Sequence, residues 1–551
     1  MKAARRSVLS DGRPYPGVVG GGSARQGPAA AKGAPLPGGR RAAAGGLVGA
    51  VVVIGATAVV HTFVRTVPFL PLALAQALVR AAPGGFATFF IDRLGHWALR
   101  LAVTGTVVAF IAVGVGLGLL ITWVSGSVRS AAASGVLGFL PLWLVSVAFY
   151  PSPSGDTIHR LPFALVSLPI YGLGGLAAAW AQVRLQQARR RQEPDLSRRF
   201  VLRALWWGAA GVLLGVADLG RLIHRRPDPG RELLHLANVR PATRPPLSSA
   251  DEAFSRVAAL TPEVTSNEDF YVVDEEIIDP DIDPAVWRLN VGGVVRRPLV
   301  LTYEELRRLP AIERYQTLEC ISNQVGGNLI STTKWAGVPL PEILDLAGVG
   351  RDALEVVFRA SGGYSDSLSI EQATDPSTLI AIGMNDHVLP RAHGFPARVL
   401  SVGTYGMKNP KWLTGIEVID RSYHGYWEQR GWSKRAIVKT GSRIDTPTGG
   451  ALVGGTVAVA GIAFAGSRRV ARVEVSTDGG RSWKQAQLKQ PLSDVAWRLW
   501  LYRWEARGRG QAGILVRAYD GRGIVQTKRF ASPHPDGASG YDAITVRYES
   551  G

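Results

Sequence analysis

The chain has 551 residues, a length typical of two or three domains rather than one. Its 62 Lys and Arg outnumber its 43 Asp and Glu, and the whole excess of +19 lies in residues 1–245, beside long apolar runs. This distribution indicates membrane topology and argues against nucleic-acid binding as the leading interpretation. A single Cys, Cys320, excludes a disulfide framework, a four-Cys zinc site, an iron–sulfur cluster and c-type haem attachment.

The first half of the chain is predicted to be an α-helical membrane domain. Residues 1–45, rich in Gly, Ala, Pro and Arg, are interpreted as a disordered basic arm. Residues 46–219 contain five apolar stretches near the length that crosses a bilayer. These predicted spans are about Gly46–Val64, Trp97–Val124, Ala131–Tyr150, Leu161–Val183 and Phe200–Leu219. Residues 66–95 are broken by prolines and predict an interfacial or re-entrant segment, with a sixth crossing as the alternative.

Basic residues set the predicted orientation, because cytoplasmic loops retain Lys and Arg. The basic arm and the arginine-rich segment 184–199 are both expected in the cytoplasm, and the nearly neutral loop Pro151–Arg160 outside. The chain after Leu219 is therefore predicted to be extracytoplasmic. Residues 197–203, SRRFVLR, resemble a twin-arginine export signal, with an ordinary cytoplasmic basic cluster as the alternative. His61 and His96 are interpreted as packed or interfacial histidines, with a haem pair as the alternative.

The second half of the chain is predicted to be soluble. Residues 220–250 are rich in Pro and Arg and form a linker. Residues 251–445 alternate short strand-like runs with short helical ones, such as Leu354–Ala360 and Leu340–Ala347, which indicates an α+β domain. Residues 449–551 contain strand patterns alone, including Val470–Ser476, and predict an all-β, Ig-like sandwich.

Cys320 is the most unusual residue of the soluble half. It ends an apolar strand-like run and enters a loop containing Gly326 and Gly327, a common position for a ligand. A lone Cys is most often a small buried hydrophobe, but its thiolate is also a soft metal ligand. The residues by themselves leave both interpretations open.

A second cluster follows in the segments HGFPAR (His393–Arg398) and GTYGMKNPKW (Gly403–Trp412). Glycines allow backbone N–H groups to approach a ligand closely, and the cations Arg398 and Lys411 neutralise negative charge. Such a loop suits a phosphate, although the pattern alone is weak evidence.

These elements together resemble the sulfite oxidase family of molybdenum–pterin oxidoreductases, in a membrane-anchored bacterial form. The resemblance covers about residues 260–530 and keeps the order and spacing of the motifs. The matching segments are Asn267–Tyr271, Cys320–Asn323, Thr333–Leu340, Met384–Arg398, Lys411–Trp412, Val473–Trp483 and Trp497–Trp500. The last two resemble the family's Ig-like dimerisation domain, which implies a homodimer.

The resemblance implies a role for each matched residue. Cys320 would be the thiolate ligand of molybdenum, and His393, Arg398 and Lys411 would hold the pterin and its phosphate. Five further residues are expected to approach the cofactor: Asn267, Tyr271, Asn323, Lys408 and Asn409. Neither haem nor an iron–sulfur cluster is expected in the catalytic domain, so the electron carrier is left open.

Two positions depart from the family pattern. Val273 replaces the Arg that reads an anionic substrate, and Trp432 replaces a Tyr near the metal. Arg430 is a candidate to compensate, with a structural role as the alternative. The loss of a cation and a hydroxyl weakens the case for sulfite as the substrate.

The sequence therefore predicts a membrane-anchored molybdenum oxidoreductase with an outward-facing catalytic domain, which transfers an oxygen atom to or from a small sulfite-like or sulfoxide-like substrate. Its expected partners are membrane lipid, an unidentified electron carrier and a second copy of the chain. The alternative is a membrane-tethered interaction module on a decayed oxidoreductase fold. A transporter is a weaker alternative, since no charged pathway is evident in the spans.

Overall fold

The structure of the chain is a computed structural model. The described residues are 39–63, 97–124, 136–144, 160–190 and 227–549, apart from 247, 275, 277 and 278, with single positions at 71, 74, 75, 78, 147, 203 and 206.

The described residues of the N-terminal region include three long helices, α1 (Gly39–Phe63), α2 (Trp97–Val124) and α3 (Arg160–Arg190). Helix α1 approaches α2 closely at Gly46, where an added Cβ would collide with the carbonyl oxygen of Gly114. Small residues of this kind permit close packing of apolar helices.

Only part of the five-span prediction is supported. Within the described residues one helix, Leu101–Leu120 in α2, is long and apolar enough to cross a membrane, and Ala42–Ala58 in α1 is apolar but shorter. Helix α3 covers the fourth predicted span, but its last turns carry arginines, which lower its apolarity. The third predicted span is described as helical at residues 136–144 and 147 only. Several sequence predictions lie outside the described residues. They concern most of the fifth span, most of residues 66–95, nearly all of the twin-arginine-like motif, His96 and the side chain of His61.

Residues 227–440, called the catalytic region from here on, contain four short helices and eleven strands among the described positions. The helices are α4 (Glu252–Ser255), α5 (Tyr303–Arg308), α6 (Leu340–Ala347) and α7 (Ile370–Ala373). The strands are β1 (Val239–Arg240), β2 (Arg288–Gly293), β3 (Leu299–Thr302), β4 (Ala311–Glu319), β5 (Ile330–Pro339), β6 (Glu355–Ala360), β7 (Ser365–Ser369), β8 (Leu379–Met384), β9 (His387–Val388), β10 (Arg398–Leu400) and β11 (Leu413–Ile419). This composition agrees with the predicted α+β class.

Two sheets of this region share one core. The first has the order β1-β4-β5-β8-β10, with β9 paired to β8, and the second has the order β3-β2-β11-β6-β7. Apolar residues from both sheets and from α6 form one buried cluster, with Trp335 and Phe358 fully buried. This rigid core fixes the end of β4, where Cys320 follows.

Part of the predicted linker belongs to the catalytic fold. Strand β1 pairs in parallel with β4, Val239 lying opposite Ala311. The Asp228 carboxylate accepts a hydrogen bond from the backbone N–H of Arg391 at 3.1 Å. The chain is therefore attached to the catalytic region from about residue 228 onward.

The C-terminal region contains strands alone, apart from a single 3-10 turn. They are β12 (Gly441–Thr446), β13 (Leu452–Val453), β14 (Gly455–Phe464), β15 (Val470–Ser476), β16 (Lys484–Gln485), β17 (Gln487–Leu488), β18 (Arg498–Ala506), β19 (Arg509–Asp520) and β20 (Asp542–Glu549). Two sheets, β12-β14-β18-β17 and β13-β20-β19-β15-β16, enclose an apolar core around Trp500. This is the β-sandwich that the sequence predicts.

A third apolar cluster joins the sandwich to the catalytic region. It includes Tyr405 and Trp432 from the catalytic loops and Phe464 and Trp497 from the sandwich. The hydroxyl of Thr317 on β4 accepts from the backbone N–H of Trp497 at 2.8 Å. The wall of the site described next is therefore supported from both regions.

Candidate active site

A short, firmly held loop presents Cys320. Its backbone N–H donates to the Leu329 carbonyl at 2.9 Å, and its Sγ lies 3.0 Å from the Ser322 hydroxyl. The Asn323 side chain closes the same loop, accepting from the Leu329 N–H at 3.0 Å and donating to Glu319 at 2.9 Å. The thiol is therefore positioned by backbone and amide hydrogen bonds.

Cys320 lines a cavity whose empty space, open solvent included, is about 820 Å³. Residues from widely separated segments line it: Phe270, Tyr271, Val273, Leu318, Cys320, Ile321, Ser322, Tyr364, His393, Arg398, Gly406, Met407, Asn409, Pro410, Lys411, Trp427 and Trp432. Six of the predicted cofactor or metal residues and the predicted catalytic Trp432 thus meet in one cavity.

His393 is a neutral histidine at the cavity wall. Burial lowers its pKa to about 4. Its Nε2 lies 2.7 Å from the Asn267 carbonyl oxygen, which can only accept, so Nε2 carries the proton. Nδ1 is left as a hydrogen-bond acceptor, and the ring presents no charge to a ligand.

Arg398 is a buried cation beside His393. Its Nη1 and Nη2 donate to the carbonyl oxygens of His393 and Asn409 at 3.1 and 3.3 Å, and its Nε is buried without a hydrogen-bond partner. No carboxylate of the described residues forms an ion pair with it. Burial lowers its pKa to about 10, so it stays charged. A buried guanidinium in this state suits an anionic ligand.

Lys411 is held on the same side of the cavity. Its Nζ donates to the Ala392 carbonyl at 2.9 Å and forms an ion pair with Asp274. Burial lowers its pKa, and the contact with Asp274 opposes that effect by favouring the ammonium form. Gly394 permits the close packing here, since its φ is +111° and an added Cβ would lie 3.0 Å from the Lys411 Cβ.

Asn409 and Tyr271 complete the ring of predicted cofactor residues. The Asn409 amide is used within its own loop, accepting from the Ser401 N–H at 2.7 Å and donating to the Tyr405 carbonyl at 3.0 Å. Tyr271 stacks on Phe270. Burial, with a smaller effect of Cys320, raises the pKa of Tyr271 well above its ordinary value, so its hydroxyl keeps its proton.

Four predicted site residues do not line this cavity. Asn267 contributes through its backbone carbonyl to His393, while its amide bonds Met384 and Asn385. Asn323 closes the cysteine loop instead of facing the ligand space. Arg430 lies over the Tyr426 ring, 3.7 Å from its centroid, and donates to the Tyr426 carbonyl, so the structure does not place it as a substrate cation.

Lys408 is the clearest correction. The sequence assigns it to the cofactor, but its ammonium is buried between Asp366, at 2.7 Å, and Glu428. Both carboxylates come from segments distant in sequence, and nothing in the basic motif announces them. The cation is used inside the fold.

Sequence reasoning missed several residues of the wall. Tyr364, Met407 and Trp427 line the cavity, and the half-buried Glu319 directly precedes Cys320. Burial raises the pKa of Glu319 to about 7. The position of Glu319 next to Cys320 could have marked it as a candidate in the sequence. Tyr364 and Trp427, in contrast, reach the cavity only through packing between distant segments.

The residues fit a molybdenum–pterin cofactor. A thiol at the cavity wall is a suitable soft ligand for the metal, and Arg398 is a buried cation without a carboxylate partner among the described residues. Neutral His393 offers its Nδ1 as a further hydrogen-bond acceptor for a pterin. These features define the class, a molybdopterin-dependent oxidoreductase.

Comparison with known proteins agrees with that class. Residues 276–427 match the model of the oxidoreductase molybdopterin binding domain, and residues 436–532 match that of the Mo-co oxidoreductase dimerisation domain. The chain is 30% identical to sulfite oxidase of Gallus gallus over 312 residues, covering 48% of this chain and 68% of that protein. The chain belongs to the sulfite oxidase family, and its cofactor is molybdenum–molybdopterin.

Two further relatives match the chain over a smaller part of their own length. Mitochondrial sulfite oxidase of Mus musculus is 31% identical over 296 residues, 45% of this chain and 54% of that protein, so the chain spans about half of that relative's length. A putative protein-methionine-sulfoxide reductase subunit of Azospira oryzae is 31% identical over 163 residues, 30% of this chain and 60% of that protein.

Proposed function

We propose that this protein is a membrane-anchored molybdenum oxidoreductase that transfers an oxygen atom to or from a small sulfur compound, with its catalytic region outside the cytoplasm. The observation that carries the proposal is the convergence of Cys320 with Arg398 in one cavity. When bound, the cofactor supplies two-electron redox chemistry and exchanges an oxygen atom with substrate.

The chain's own residues would bind and orient. Cys320 would ligate the metal, and Arg398 and Lys411 would bind the pterin phosphate by charge-assisted hydrogen bonds. His393 would donate from Nε2 only to Asn267, leaving Nδ1 to accept from the pterin. Trp427 and Trp432 would exclude water from the substrate side of the cavity.

We expect the substrate to be a neutral sulfoxide rather than sulfite. Apart from Arg398 and Lys411, both assigned to the cofactor, the described residues lining the cavity carry no cation at neutral pH. Val273 and Trp432 occupy positions where the resemblance implies an Arg and a Tyr. The Trp432 Nε1–H is buried without a partner, and we expect it to donate to a sulfoxide oxygen. The similarity to a putative methionine-sulfoxide reductase subunit favours the same direction.

Purified protein tests the proposal in both directions. Reduced viologen dye would supply electrons for reduction of dimethyl sulfoxide and methionine sulfoxide, and ferricyanide would accept them during sulfite oxidation. We expect kcat/KM to be higher for a sulfoxide than for sulfite. Faster sulfite oxidation would contradict the substrate, and no turnover by molybdenum-loaded protein would contradict oxygen-atom transfer.

The membrane arrangement remains part of the proposal. The apolar helix Leu101–Leu120 and the similarity to the Azospira oryzae subunit support membrane association. Five spans, a cytoplasmic N-terminus and export through the twin-arginine-like motif would place the catalytic region outside. Protease added to intact cells or spheroplasts should cleave after residue 227, and protection of that region would contradict the orientation.

The C-terminal sandwich supports a homodimer. It matches a domain model described as a dimerisation domain, and the proposal is that two chains associate through it. Light scattering of detergent-solubilised protein should give the mass of two chains, whereas a single-chain mass would contradict it.

A further inference from the structure

A buried charge cluster lies directly behind the cavity wall. Lys408, in the turn Gly406–Lys408, donates to Asp366 Oδ1 at 2.7 Å, to the Ser367 carbonyl at 3.1 Å and to Glu428 Oε1. The side chains of Lys408, Asp366 and Glu428 are 4%, 0% and 1% exposed. One cation therefore serves two carboxylates in a place that water does not reach.

The hydrogen bonds indicate which carboxylate carries a proton. Both oxygens of Glu428 accept, Oε1 from Lys408 and Oε2 from the Gly425 N–H at 3.1 Å, as suits an anion. Asp366 Oδ1 accepts from Lys408 and from the Ser367 N–H at 2.7 Å. Its Oδ2 instead lies 3.4 Å from the Tyr364 hydroxyl. With Glu428 ionised against Lys408, a proton on Asp366 Oδ2 makes the buried cluster neutral, which avoids an uncompensated buried charge.

Tyr364 connects this cluster to the cavity. The tyrosine lines the cavity, and its hydroxyl, besides its contact with Asp366, donates to the Met407 carbonyl at 2.6 Å. The only titratable groups hydrogen-bonded to Asp366 among the described residues are Lys408 and Tyr364, and Glu428 acts on it through their shared lysine. Gly425 packs on the carboxyl, since an added Cβ would lie 2.9 Å from Asp366 Cγ.

We propose that Tyr364 is a catalytic proton donor of the oxygen-atom transfer and that Asp366, held by Lys408, stores the proton that Tyr364 delivers. The inference rests on the proposed function. Reduction of a sulfoxide breaks its S–O bond and yields a thioether and water, consuming two electrons, here from reduced viologen, and two protons. Tyr364 would rotate from Met407 and give its proton, the first of the two consumed, to the departing oxygen, while Asp366 Oδ2 gives its own to the tyrosine oxygen. The second proton comes from solvent in the cavity. Asp366 is left as a carboxylate that Lys408 stabilises until a proton from solvent in the cavity returns to it through Tyr364.

The titration of the cluster is consistent with this role. Burial raises the pKa of Asp366 to about 7, with Glu428 adding to the rise and Lys408 opposing it. A group with a pKa near the working pH exchanges a proton most effectively as a general acid. We therefore expect kcat for sulfoxide reduction to fall as the pH rises above about 7.

Two conservative variants test the relay. Y364F removes the hydroxyl and keeps the ring, and D366N keeps a neutral, isosteric group that holds no transferable proton. We expect each to lower kcat about a hundredfold, the usual effect of losing a general acid, and to abolish the fall above pH 7. The matched control is Y423F, since Tyr423 bonds Ser365, on the same strand as Asp366, at 2.7 Å and does not line the cavity. Wild-type kcat and pH profile in both variants, at equal molybdenum content, would overturn the proposal.

An infrared measurement on the loaded protein separates this inference from the proposed function. The wild type should show the C=O stretch of a protonated carboxylic acid that titrates near pH 7 and is missing in D366N. If the wild type turns over no substrate, the proposed function fails, and the infrared titration alone decides whether Asp366 stores a proton. Absence of that band in the wild type would overturn the storage role whatever the activity.

Discussion

Two buried cations ten positions apart show how the fold divides one basic motif between two uses. Arg398 borders the cavity and, among the described residues, has carbonyl partners but no ion-pair partner. Lys408 lies behind the wall and contacts two carboxylates. The presence or absence of an internal carboxylate therefore distinguishes a cation available to a ligand from one that stabilises the fold.

The largest expected effect comes from replacing Cys320, the single cysteine of the chain, which lines the same cavity as Arg398. In C320S the oxygen of serine is a harder ligand than thiolate, and we expect turnover of sulfoxide and sulfite to fall below detection. S322A, which removes the neighbouring hydroxyl, is the matched control and should retain measurable activity. Full activity in C320S would refute the role of Cys320 as metal ligand.

Removal of Lys408 should affect folding most. K408M leaves Asp366 and Glu428 buried without their cation, and breaking such a pair costs about 3 to 5 kcal/mol. Urea unfolding should show this loss, and the loss should be larger at high pH, where neither carboxylate is neutralised by a proton. A stability equal to wild type would contradict the internal role of Lys408.

Removal of Arg398 should affect cofactor retention more than the stability of the fold. R398M should weaken cofactor retention by about 10- to 100-fold, the equivalent of about 1.5 to 3 kcal/mol for a charged hydrogen bond. The cofactor-free protein should lose less stability than K408M does, because only carbonyl oxygens lose a hydrogen bond and no carboxylate among the described residues is left unpaired. Molybdenum analysis and urea unfolding of both forms measure the two effects. If R398M unfolded at a much lower urea concentration than the wild type but kept its full molybdenum content, Arg398 would serve the fold and not the cofactor.

The last expected effect, which is confined to acidic pH, is the pH dependence that His393 contributes. Its pKa is lowered by burial from 6.5 to about 4, so the unfolded chain binds more protons than the folded one in that window. Its contribution to stability is present above pH 6.5 and is lost as the pH falls towards 4, by up to about 1.4 kcal/mol per pH unit. H393Q should flatten the curve of unfolding free energy over this range, and an unchanged slope would contradict a buried neutral histidine.

The sequence was sufficient for the parts of the site that its motifs contain. Cys320, His393, Arg398 and Lys411 were predicted from family motifs, and they line one cavity. The helix Leu340–Ala347 and the strand Val470–Ser476 were predicted with the bounds that the structure has. Local periodicity and linear motifs determine such features, and they are therefore readable without the fold.

The remaining features depend on contacts between distant segments. Lys408 was assigned to the cofactor because the motif is basic, but its partners Asp366 and Glu428 lie 42 and 20 positions away. Arg430 was considered as a substrate cation, yet it stacks on Tyr426 four positions earlier. Part of the predicted linker adds a strand to the catalytic sheet at Val239, where a proline-rich composition gave no such indication.

The most direct test of the account is the molybdenum and pterin content of the purified full chain, produced in a host that makes the cofactor. We expect about one molybdenum and one pterin per chain in the wild type and in S322A, and a clear reduction in R398M. A wild-type protein that is folded by circular dichroism but contains no molybdenum would contradict it.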